Sequence, residues 1–144
     1  MDYQEVLDYL YSSLPMYHRV GASAYKTDIT NTKKLMDAID HPERKFKSIH
    51  VAGTNGKGSV SHFLASILRN AGYKVGLYTS PHLVDFRERI RINGEMIPEE
   101  YVTKFIIEHK PLFMEIEPSF FEMTVALAFN YFAEQQVDIA VVEV

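Results

Sequence analysis

Apolar side chains recur at helical spacing at Tyr3, Val6, Leu7, Leu10 and Leu14, and Pro15 stops the helix they predict. The polar stretch Gly21 to Thr27 reads as loop. Thr30 or Asn31 is the expected N-cap of a second helix carrying Leu35, Met36 and Ile39 and ending near Pro42. The pattern then changes. Ser48-Ile49-His50-Val51-Ala52 predicts a short strand that Gly53 breaks, and Lys74 to Tyr78 predicts another. Between them, Val60, Phe63, Leu64, Ile67, Leu68 and Ala71 mark the expected buried face of a helix, with Gly72 at its C′ position. Strand, glycine-rich turn, helix and strand in that order make a βαβ unit, hence parallel strands.

Ile90-Arg91-Ile92 and Met96-Ile97 flank Asn93-Gly94, a strong hairpin signal. Pro98 suits the first turn of a helix carrying Val102, Phe105 and Ile106. Ser119 and Glu122 have capping-box spacing and open what reads as the longest helix, through Met123, Leu127, Phe129 and Phe132. Asp138 to Val144 is nearly apolar on both faces, as a central parallel strand is. The fold class is therefore α/β, a mostly parallel sheet flanked by helices. No repeat, low-complexity tract or long linker divides the chain. An α/β sheet seldom stops on an uncovered central strand, so residues 1–144 are expected to be part of a longer domain.

Composition narrows the classes. The 144 residues are 47% hydrophobic and 12% aromatic, enough to bury a core and to exclude general disorder. Fifteen Lys+Arg against nineteen Asp+Glu give a net charge of -4, which argues against a nucleic-acid partner. There is no Cys, so thiol catalysis, Cys-ligated zinc and disulfides are excluded. The acidic start, Met1 to Glu5, lacks the basic and apolar regions of a secretory signal. No window approaches the roughly 18 apolar residues of a membrane span. A cytoplasmic protein without a membrane partner is expected.

The sharpest chemical signal is Gly53-Thr54-Asn55-Gly56-Lys57-Gly58-Ser59, between a predicted strand and a predicted helix. Glycines there allow a tight turn with N–H groups pointing inward, an anion-binding nest at a positive helix terminus. Lys57 adds a cation for nucleotide phosphates, and the Ser59 hydroxyl reaches a phosphate or Mg²⁺. Gly58 intervenes between Lys57 and Ser59, which departs from the usual phosphate loop and disfavours generic P-loop kinases and GTPases. Thr79-Ser80-Pro81-His82 follows a strand, at the edge where open α/β sheets bind ligands. Glu143 interrupts an apolar strand near its end, and a charge there is costly unless paired or on a metal. Glu122 is explained by its cap, by ligand contact, or by both. The run Arg87 to Arg91 reads as a solvated strand face with alternating charge, or as a steering patch for an anionic substrate.

These separated pieces resemble the folylpolyglutamate synthase/dihydrofolate synthase family of the Mur ligase superfamily. The likeness rests on Val51 to Ser59, Gly76 to Leu83, Phe86 to Arg91, Phe121 to Thr124 and Val142 to Val144, in that order. It implies a P-loop-containing, Mur-ligase-like nucleotide-binding domain, of which this chain is the N-terminal part, without the glutamate-binding domain. It implies an ATP- and Mg²⁺-dependent ligase that joins L-glutamate to a folate or dihydropteroate carboxylate through an acyl phosphate, acting as a monomer. Residues 53–59 would hold ATP, with Lys57 catalytic, and Ser80 and Glu143 would hold Mg²⁺. Pro81 to Arg91 would be a mobile loop near the folate, and Ser119, Phe120, Phe121 and Glu122 would contact the pterin. Ala24, Tyr25, Lys26 and Thr27 would form a second pterin-side segment, although the commoner Gly-Leu-rich turn followed by Arg is missing there. The chain alone is expected to bind nucleotide without turnover. The rival readings are another P-loop small-molecule phosphotransferase and a nucleotide-binding module without catalysis.

Overall fold

A computed structural model of the chain describes residues 1–13, 29–53 and 55–143. In chain order the elements are α1 (Tyr3–Ser13), α2 (Thr30–Ala38), β1 (Lys47–Val51), α3 (Lys57–Asn70), β2 (Val75–Tyr78), β3 (Ile90–Ile92), β4 (Glu95–Met96), α4 (Glu99–Ile116), α5 (Phe120–Glu134) and β5 (Ile139–Glu143). They divide into two compact units, Met1–His41 with Glu99–Phe129, and Pro42–Pro98 with Asn130–Val144.

The first unit is helical. Helices α1 and α2 both pack on α4, and Val6, Leu10, Leu35, Val102 and Ile106 are fully buried. The ring of Tyr11 stacks on Phe120 with centroids 5.5 Å apart. Helix α2 starts one residue earlier than a Thr30 cap requires: Ile29 is the N-cap and makes no side-chain cap bond. Helix α4, at 18 residues, is longer than α5, at 15, and it runs straight through Pro111. Proline removes one backbone bond, yet the buried stripe Val102, Phe105, Ile106 and Phe113 continues across it. Packing of that stripe outweighs the missing bond.

The second unit holds a five-stranded sheet in the order β1-β5-β2-β3-β4. Strands β1, β5 and β2 are parallel, and β3 and β4 add an antiparallel hairpin. The predicted βαβ unit is present, with β5 inserted between its two strands, as the doubly apolar pattern of β5 requires. At the hairpin, Asn93 (φ 48°) and Gly94 (φ 85°) both take the left-handed backbone of a type I′ turn. Side chains alternate across the sheet, so Val75 and Leu77 face one side and Gly76 the other. Leu64, Ala65 and Leu68 of α3 cover the first side, with Val141. The Phe132 ring of α5 lies over Gly76 on the opposite side.

The expected buried face of α3 is only partly buried. Val60, Phe63 and Ile67 are 49%, 71% and 52% exposed. Helical periodicity marks the apolar arc of a helix, and here the sheet covers only the part of that arc at Leu64 and Leu68. The run before β3 also differs from its expected form. Phe86–Arg89 is a 3₁₀ turn and not a strand face, and Arg89 is buried. Among the described residues, no helix is long and apolar enough to cross a membrane.

Candidate functional site

The turn after β1 has the backbone that its glycines predict. Gly53 (φ 152°) and Gly56 (φ 76°) both lie in the region that favours glycine, and Gly56 is the N-cap of α3. The N-cap is a glycine and has no side chain to cap the helix, so among the described residues the amides of its first turn are open to an outside acceptor. The stem of Lys57 folds back over the turn: its Cγ would lie 3.8 Å from a Cβ placed on Gly53. Asn55, Gly56 and Ser59 are exposed, while Lys57 and Gly58 are half-buried. Thr54 lies outside the described residues.

Strand register brings two more candidates to the same edge of the sheet. Glu143, at the carboxyl end of β5, pairs across the ladder with Val51, the last residue of β1 before the turn. On its other side β5 pairs Val142 with Tyr78, the last residue of β2, and Ser80 follows two residues later. The glycine turn, Glu143 and Ser80 therefore all stand at the carboxyl ends of adjacent parallel strands. Glu143 is only 4% exposed, and it has neither a hydrogen bond nor an ion pair among the described residues. Its Oε2 would lie 3.8 Å from a Cβ on Gly58, so the carboxylate faces the first turn of α3. A buried carboxylate without a partner suits a cation, and a hard one, since the oxygens of Ser80 and of a phosphate are the other donors this edge can offer. Ser80 is half-buried, and its hydroxyl makes no hydrogen bond among the described residues. The oxygen donors of Glu143 and Ser80 fit a hard divalent cation such as magnesium.

Beside this edge lies a polar cluster that the sequence reading missed. Arg89 is only 4% exposed; its Nε donates to His82 Nδ1 at 2.7 Å, and its guanidinium lies beside the Tyr78 phenol. Burial pushes the Tyr78 phenol up to about 12, with Arg89 pulling the other way and the Glu143 charge adding to the rise. Burial, then the neighbouring Arg89 charge, lowers the His82 pKa, with Glu88 and Asp85 opposing. Glu88 is held below the usual carboxylate range because its oxygens accept the backbone N–H groups of Asp85, Leu83 and Val84. The sequence did not single out Arg89, because Arg87 sits between the same buried Phe86 and Ile90. Pro81 is exposed at the head of this loop.

The remaining candidates belong to the helical unit. The capping box at the start of α5 forms: Ser119 N–H donates to Glu122 Oε1 at 2.8 Å, and Glu122 N–H donates to Ser119 Oγ at 3.1 Å. Thr32 Oγ1 donates to Glu122 Oε2 at 3.3 Å, so both carboxylate oxygens of Glu122 have structural partners. Phe120, expected to meet a pterin, is instead fully buried against Tyr11 and Phe121. Phe120 is the first residue of α5, and its ring turns into the core of the helical unit. Ser119 is also buried, which leaves Phe121 and Glu122 as the partly accessible members. Ala24, Tyr25, Lys26 and Thr27 lie outside the described residues.

No family model matches the chain. A dihydrofolate synthase/folylpolyglutamate synthase of Bacillus subtilis is 42% identical over 125 residues, covering 82% of this chain and 29% of the relative. The solved folylpolyglutamate synthase of Thermotoga maritima is similar with a TM-score of 0.87 and 44% identity, over 99% of this chain and 32% of that one. A solved FPGS–AMPPCP–folate complex gives a TM-score of 0.86 and 37% identity, over 100% of this chain and 35% of that one. The chain thus spans about a third of the length of these relatives.

Proposed function

The chain belongs to the folylpolyglutamate synthase/dihydrofolate synthase family, and on that premise we propose that it forms the ATP- and Mg²⁺-binding part of an amide ligase. The ligase joins L-glutamate to a folate or dihydropteroate carboxylate. The observation that carries this reading is Glu143, a buried carboxylate without a partner among the described residues, facing the uncapped start of α3.

In this reading Gly53, Thr54, Asn55, Gly56, Gly58 and Ser59 cradle the ATP phosphates. Backbone amides at a helix start are dipoles held in place before reaction, so no reorganisation is needed as charge shifts. Lys57 lies on the same turn and draws negative charge from the transferring phosphoryl group. Glu143 and Ser80 hold Mg²⁺, which neutralises phosphate charge when bound. The chain supplies no covalent nucleophile and needs none. The substrate carboxylate takes the γ-phosphoryl group, and the glutamate amine then displaces phosphate from the acyl phosphate. Of the residues the family resemblance assigns to the acceptor, Pro81, Phe121 and Glu122 are the described ones that stay at least partly accessible. A cytoplasmic monomer without nucleic-acid or membrane partners is part of the same proposal, and the net charge of -4 supports its nucleic-acid part.

Calorimetric titration of the chain with Mg–AMPPCP tests the reading. Wild type binds. Lys57→Ala binds at least about tenfold more weakly, a loss of about 1.4 kcal/mol. The melting temperature stays nearly unchanged, because substitutions away from the core move stability by only about 0.5 kcal/mol. Equal affinity in the variant would remove Lys57 from the phosphate site.

A further inference from the structure

We propose that Glu88 and Arg89 are positioning residues: together they latch the segment around Ser80 so that its hydroxyl stands ready for cation and phosphate. This rests on the nucleotide-binding reading above. Arg89 grips the chain on both sides of Ser80. Its carbonyl accepts the Thr79 N–H at 3.0 Å and its guanidinium lies beside the Tyr78 phenol, while its Nε donates to His82 Nδ1 at 2.7 Å. Glu88 takes up the chain where Arg89 stops. Its Oε1 accepts the Leu83 N–H at 3.0 Å, and its Oε2 accepts those of Val84 at 3.1 Å and Asp85 at 2.8 Å. The two consecutive side chains thus reach residues 78, 82, 83, 84 and 85, the Arg89 backbone carbonyl holds Thr79, and only Ser80 and Pro81 are skipped. Proline has no N–H to offer, and the Ser80 hydroxyl makes no hydrogen bond among the described residues.

Apolar burial cannot shape this loop. Leu83 and Val84 are 91% and 90% exposed, so the backbone between Pro81 and Asp85 gains its form from polar bonds. The latch itself is rigidly based. Asp85 accepts the Arg87 N–H at 2.9 Å and pairs with the Arg87 guanidinium at 3.0 Å, which fixes the 3₁₀ turn. That turn runs directly into β3, whose Ile90 pairs with Tyr78 of β2. One hydroxyl left over in a backbone fixed on both sides is what a preorganised ligand position requires.

Amide hydrogen exchange and Mg²⁺ titration on the chain test the proposal with Glu88→Ala, a half-exposed site where folding survives. The expected result is exchange about tenfold faster at Leu83, Val84 and Asp85, with Ile49 and Val141 unchanged. AMPPCP binding by this variant then needs several-fold more Mg²⁺, while nucleotide affinity at saturating Mg²⁺ is retained. Glu88→Gln keeps an acceptor oxygen and restores part of both effects, and Arg89→Lys, which loses the guanidinium fork, shifts the Mg²⁺ requirement in the same direction. Unchanged exchange in Glu88→Ala overturns the latch. Faster exchange with an unchanged Mg²⁺ requirement shows a latch that does not position Ser80, which also overturns the proposal. Absence of AMPPCP binding in wild type instead overturns the nucleotide reading, and the metal part of this proposal with it, while exchange still judges the latch.

Discussion

A carboxylate withdrawn from water costs stability unless something positive meets it, and Glu143 has no such partner among the described residues. This makes opposite predictions for folding and for ligand binding. In Mg²⁺-free buffer, Glu143→Gln keeps the shape and removes the charge, so the chain should gain on the order of 1 kcal/mol in urea unfolding. The same variant should lose the Mg²⁺-dependent part of AMPPCP binding in a calorimetric titration. A variant that is both less stable and still Mg²⁺-responsive would show that Glu143 serves the fold and not a cation. Glu143 stood out in the sequence because a charge in an apolar strand violates the pattern around it. Arg89 did not, because Arg87-Glu88-Arg89 reads as ordinary surface charge. Only the 3₁₀ turn, which sends Arg89 inward while Arg87 pairs with Asp85, separates the two arginines.

Elements whose form is dictated by a few neighbouring residues were legible, and those dictated by what packs on them were not. The Asn93–Gly94 hairpin and the Ser119–Glu122 box both rest on local backbone chemistry, and both form. The burial of α3 and the length of α4 depend on distant partners, and there periodicity misled. Val60, Phe63 and Ile67 continue the apolar arc of α3 beyond the part the sheet covers. Close packing on the opposite side gives a prediction at this scale. A Cβ on Gly76 would come within 2.8 Å of Phe132 Cδ1, nearer than packed atoms allow. Gly76→Ala should therefore cost about 1–3 kcal/mol, as overpacking does. Adding Phe132→Leu should return part of that loss, and the double-mutant cycle by urea unfolding measures how much. Full additivity of the two changes would mean that the ring does not rest on Gly76.

At the scale of the whole chain, the helical unit and the sheet unit each bury apolar side chains, so a cooperative melt is expected. The glycine turn, Ser80 and Glu143 all lie in the sheet unit, so on the proposed reading nucleotide recognition is local to it. Ligation asks for more. Both reactants must be held in a dry, oriented site, and orientation alone is worth roughly 7–11 kcal/mol of barrier. The relatives that share this fold are much longer, since the chain covers 32% of the Thermotoga maritima enzyme. On the proposed reading, the groups that hold glutamate lie outside these 144 residues. The chain incubated with ATP, Mg²⁺, folate and glutamate should therefore bind nucleotide and yield neither folate-dependent ADP nor a lengthened folate. Chromatography of the folate products, with ADP measured in parallel, checks both. Folate-dependent ADP without a lengthened product would place the acyl-phosphate step within this chain and only the amine step outside it. A lengthened product would place the glutamate site inside the 144 residues and overturn the division of labour.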